Sequence, residues 1–90
     1  MWSTAMTNIT IQVHNTNGLD ARLAGQLVKE AIACDGDVRI RCGQKTGNAK
    51  MIFNVLSLHA RRGDTLEIEL SGAGQEEDAK RLMLFAEQNI

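Results

Sequence analysis

The chain of 90 residues has no apolar run near the ~20 residues a membrane helix needs, so no membrane-spanning segment is expected. It has only three aromatic side chains, Trp2, Phe53 and Phe85, too few for the stacking platforms of a single-strand nucleic-acid binder. It also lacks an excess of either charge. Ten Lys and Arg against eleven Asp and Glu leave a formal net charge of −1, which argues against a nucleic-acid partner. Cysteine is scarce, and Cys34 and Cys42 lie too far apart for a CxxC redox pair. With two histidines they are too few and too scattered for a metal site, and neither a metal nor a cofactor is expected. Both read as reduced thiols in or near the core of a cytosolic protein. The opening residues show no basic region followed by an apolar stretch, so no secretory signal is read. Residues 1–7 are expected to be a flexible lead to a single domain, with Met6 as an alternative start.

What is present is a 43% apolar fraction, enough for one thin core in a chain of this length. Ile9, Ile11 and Val13 alternate with polar residues and predict a half-buried strand. Ala24, Leu27, Val28 and Ala31 recur at helical spacing, with Asp20 before them where an N-cap belongs. Val38, Ile40 and Cys42 alternate with Arg39 and Arg41 as a second strand. Gly43 opens a hairpin into a short third strand at residues 44–46. The apolar run from Met51 to Leu58 predicts a two-turn helix with an exposed apolar edge. Leu66, Ile68 and Leu70 give the clearest strand, and the acidic start Glu76-Glu77-Asp78 suits the N-terminus of a last helix. Its buried stripe is Ala79, Leu82, Met83, Ala86 and Ile90. The order β-α-β-β-α-β-α, with polar alternation on the strands, predicts an open-faced two-layer α+β sandwich.

The segment Asn17-Gly18-Leu19-Asp20-Ala21-Arg22-Leu23-Ala24 is the candidate for chemistry. A glycine loop meets a helix start, where unpaired N–H groups and the positive dipole end attract an anion. Asn17, Asp20 and Arg22 are the candidate anion-binding residues, Arg22 offering a planar donor fork. On the pattern alone, Asp20 reads as a helix cap and Arg22 as a solvated side chain. His14 and His59 read as surface residues.

This octamer is similar to the active-site motif of the HPr family, the small histidine phosphocarriers of the bacterial sugar phosphotransferase system. That motif is Asn-Gly-Leu-His-Ala-Arg-Pro-Ala, and six of its eight positions match. The segment Asn48-Ala49-Lys50-Met51-Ile52-Phe53, Gly63-Asp64-Thr65 and Glu76-Glu77-Asp78-Ala79 also resemble the family, from about Asn8 onward. The resemblance implies a four-stranded antiparallel sheet of order 1-4-2-3 with three helices on one face.

The resemblance also implies where this chain departs from its relatives. Asp20 stands at the position of the phosphoacceptor histidine, and Leu23 at that of the proline; the chain contains no proline at all. Met51 stands where many Gram-positive members carry a regulatory serine. The resemblance therefore implies a retained scaffold with both phosphorylatable side chains replaced and no catalytic residue. The expected role is a cytoplasmic, non-enzymatic regulatory or protein-binding paralogue. Its partners would be proteins of the phosphotransferase system or a transcriptional regulator, met through Arg22, Lys50, Met51, Ile52, Phe53 and Leu56. Two alternatives stand beside this: a phosphocarrier forming an acyl phosphate on Asp20, and a strand-exchanged structural dimer. The expected state is a monomer or weak dimer.

Overall fold

In this computed structural model, residues 6–90 are described. The chain runs β1 (Thr7–Gln12), α1 (Ala21–Ile32), β2 (Val38–Cys42), β3 (Lys45–Asn48), α2 (Ile52–Leu56), β4 (Thr65–Leu70), α3 (Gln75–Asn89). The four strands form one antiparallel sheet of order β1-β4-β2-β3, as the resemblance implies. Thr7 already pairs with Leu70, so the expected lead ends one residue earlier; its first five residues lie outside those described.

Alternation in the strands decides the two faces of the sheet. Ile9, Ile11, Val38, Ile40, Leu66, Ile68 and Leu70 point to the helices and are buried. Their burial, with that of Leu23, Leu27 and Leu82 from α1 and α3, builds one continuous core. Each fully buried side chain of this size contributes about 1.5–3 kcal/mol. The opposite face carries cross-strand rows: Arg39 lies opposite Glu69 and Arg41 opposite Glu67, the second pair joined as an ion pair. These rows let that face stand in water without a covering layer.

Two boundaries differ from the sequence expectation. β3 runs Lys45–Asn48 rather than 44–46, because only Gly47 in it faces inward and no apolar alternation marks its register. A Cβ on Gly47 would lie 2.9 Å from Cβ of Asn54, so the glycine lets α2 settle close against β3. The second helix is five residues, Ile52–Leu56, shorter than two full turns; Val55 is its one buried side chain, while Leu58 is buried in the turn beyond. In α3, Met83 is only half-buried, and Ile90 is buried just past the helix end. Both cysteines are free, Cys34 buried and Cys42 half-buried.

Candidate functional site at the start of the first helix

β1 delivers the chain to a tight loop whose shape is set by two asparagine-linked contacts. The N–H of Gly18 donates to the Asn15 carbonyl at 2.9 Å, and Nδ2 of Asn15 donates to the Gly18 carbonyl at 2.8 Å. Gly18 sits at φ +66°, and a Cβ there would fall 2.4 Å from the Ala60 carbonyl oxygen. No other residue fits, because the backbone of the loop after α2 occupies the space. The Leu19 N–H then donates to that same Ala60 carbonyl at 3.0 Å, and the Leu19 side chain is buried. The loop is thus pinned on both sides of Gly18 just before the helix begins.

Asp20 is extended (φ −76°, ψ 178°), and its Oδ1 accepts from the Leu23 N–H at 2.9 Å. Its carbonyl accepts from the Ala24 N–H at 2.8 Å, the first bond of the helix. The carboxylate is therefore an N-cap in geometry as well as in sequence. Ala21 and Arg22 contribute the remaining N–H groups at this end, where a helix has no intrahelical acceptor. The Arg22 side chain is exposed and makes no hydrogen bond or ion pair with a described residue. Asn17 is exposed at the turn. Asn15, not singled out in the sequence, is the side chain that shapes the loop; the Asn15–Gly18 spacing of a turn was its only signal.

The expected docking residues are only partly gathered. Met51 and Phe53 are exposed, Phe53 at 77%, on the helix α2 that packs against α1. Ile52 and Leu56 are half-buried against the core. Lys50 is not beside Arg22. Its Nζ donates to the Cys34 carbonyl at 2.9 Å, beyond the other end of α1. A short apolar run does not reveal which side chains the helix turns inward; the structure leaves Phe53 as the exposed one of Ile52, Phe53, Val55 and Leu56.

The family model described as the PTS HPr component phosphorylation site matches residues 7–88. Phosphocarrier protein HPr of Vibrio cholerae serotype O1 is 31% identical over 78 residues, which cover 87% of this chain and 92% of the relative. The solved HPr of Bacillus anthracis strain Ames superposes with a TM-score of 0.84 at 35% identity, covering 91% of this chain and 98% of that one. The solved Crh of Bacillus subtilis, described as a catabolite repression protein with a swapped domain in its dimer, matches with a TM-score of 0.63. There the identity is 28%, over 89% of this chain and 92% of that one. A family match that spans residues 7–88, a relative 31% identical over 87% of the chain and a close superposition on a solved HPr place this protein in the HPr family of the bacterial phosphotransferase system.

Proposed function

We propose that this chain is a non-phosphorylatable, protein-binding or regulatory paralogue in the HPr family, with Asp20 at the phosphoacceptor position. The carrying observation is the 2.9 Å bond from the Leu23 N–H to Oδ1 of Asp20. That bond commits the carboxylate to the helix end. A carboxylate held as a cap is a weak nucleophile, and it fills the place where a phosphoryl group would gather N–H donors. It acts instead as a fixed negative charge at the helix start, two residues before Arg22, a smaller stand-in for a phosphorylated side chain. Exposed Met51 and Phe53 supply the apolar part of a docking face. On this reading the chain is not an enzyme. It works in the cytoplasm on proteins of the phosphotransferase system or on a transcriptional regulator.

The test is incubation with radiolabelled phosphoenolpyruvate and enzyme I. No label is expected on the wild-type chain. Label that is present on the wild type and lost in Asp20→Ala would overturn the proposal in favour of an acyl phosphate on Asp20. A second reading, a strand-exchanged dimer, draws on the swapped dimer described for the Crh relative. Sedimentation that shows only monomer at high concentration removes it.

A further inference from the structure

The loop that follows α2 does more than support Gly18. Residues 58–65 also face the turn between β2 and β3, and between them lies a shallow, open basin of about 670 Å³. Three basic side chains line it from two separate parts of the chain: Lys45 at the start of β3, and His59 and Arg61 on the loop. None of the three side chains makes an ion pair or hydrogen bond with a described residue. None of the residues between Asn15 and Ala24 lines the basin, although the loop that carries His59 and Arg61 backs Gly18 on its other side.

Asp64 is the one carboxylate among the lining residues, and it is already engaged. Its Oδ2 accepts from the Arg61 backbone N–H at 2.9 Å and lies 3.9 Å from the Cys42 sulfur. Burial, and then the Asp64 carboxylate, push the Cys42 thiol above its ordinary range, so it stays neutral and adds no negative charge. His59 lines the basin from a left-handed backbone at φ 50°, a conformation that costs a non-glycine residue free energy. The turn alone does not call for a histidine, since glycine would make it at lower cost.

We infer that this basin is an anion site, which takes the phosphate group of a small molecule. A guanidinium fork, an ammonium and an imidazole around one concavity offer several charge-assisted donors to a tetrahedral oxyanion. Three basic residues lining one concave surface strengthen the local field. The one carboxylate nearby has its own donors and does not neutralise Lys45 or Arg61 through a direct ion pair.

The experiment titrates inorganic phosphate, and separately pyrophosphate, into the full ¹⁵N-labelled chain, with chloride at matched ionic strength as the control. Saturable shifts are expected at the amides of Lys45, His59 and Arg61 and not with chloride. The double variant Lys45→Ala with Arg61→Ala should weaken binding about tenfold or more, and so should Lys45→Glu alone. Lys29→Ala, on α1, should leave it unchanged. All these side chains are on exposed residues, and the amide spectrum itself reports whether each variant is folded. Shifts that chloride reproduces, an affinity unmoved in the folded double variant, or shifts confined to residues 17–24 would each overturn the assignment.

Discussion

The two ends of α1 are held in opposite ways. At the N-terminal end a single local side chain, Asp20, satisfies the Leu23 N–H three residues away, and the neighbouring Arg22 is left in solvent. At the C-terminal end the contacts come from across the molecule. Arg81 of α3 donates to the Glu30 carboxylate (3.2 Å), the Glu30 carbonyl (3.2 Å), the Cys34 sulfur (3.3 Å) and Asp78 (2.9 Å). Asp78 in turn accepts from the Asp35 N–H, and Lys50 reaches the Cys34 carbonyl. One end is free to meet a partner; the other ties two helices and the α1–β2 turn together. A helix anchored at its far end can carry a start with few long-range polar contacts without losing its place in the fold.

The sharpest way to break this contrast is to cut the anchor. Arg81→Met keeps an unbranched apolar stem but removes all the side-chain donors, leaving the buried Asp78 carboxylate with only the long 3.4 Å bond from Asp35. The ion pair to Glu30 is about a third exposed on both sides and contributes little, so most of the loss arises at Asp78. A cost of about 2–3 kcal/mol is expected in urea denaturation, from stranding a buried charge. In a domain of this size that lowers Tm by about 4–8 °C per kcal/mol. In a double-mutant cycle, Asp78→Asn with Arg81→Met should cost clearly less than the sum of the single changes. Strict additivity would show that the two side chains do not act as a unit.

The other end should break more gently. Asp20→Ala removes one cap bond and a favourable charge on the helix dipole, at about 1 kcal/mol. Asp20→Asn keeps an acceptor and should recover most of that loss. The gap between the Asp and Asn chains is the dipole part, and it should close as salt is raised. Urea midpoints at low and high ionic strength measure both quantities. A loss from Asp20→Ala as large as that from Arg81→Met would mean that the helix start, too, is an anchor.

How legible each end was in the sequence follows from how each is built. Asp20, Leu23 and Ala24 lie within five consecutive positions, so the cap was readable from residue types and spacing. The same holds for Leu66, Ile68 and Leu70, whose strict alternation names strand and buried face at once. The anchor was not readable. Arg81 and Asp78 are far along the chain from Glu30 and Cys34, and Asp78 had every appearance of a residue serving the dipole of its own helix. It does lie in the first turn of α3, but its carboxylate is buried against the α1–β2 turn. The contact of Lys50 was hidden for a related reason. Its sequence neighbours Met51 and Phe53 are exposed on the α2 side, while its own long stem carries the ammonium to the end of α1. The basic basin was hidden in the same way, since Lys45 meets His59 and Arg61 only after β3 and the loop are brought together. Strand order came from family resemblance, because alternation shows which way a side chain faces and not which strand is its neighbour.

The smallest expected effect on stability tests what the exposed end is for. Phe53 is 77% exposed, whereas Val55, two residues on in the same helix, is 1% exposed. Phe53→Ser should change stability by no more than about 0.5 kcal/mol, because little apolar contact is lost. Val55→Ala should cost about 2 kcal/mol by opening a cavity under α2. If α2 is part of a docking face, binding ranks the two residues in the opposite order. Calorimetry against purified enzyme I should show Phe53→Ser weakening association about tenfold, the scale of an aromatic anchor at an interface, while folded Val55→Ala binds nearly as wild type. Equal affinities for Phe53→Ser and wild type would mean that the exposed ring is not an anchor for this partner, and that the contrast between the ends of α1 rests on folding alone.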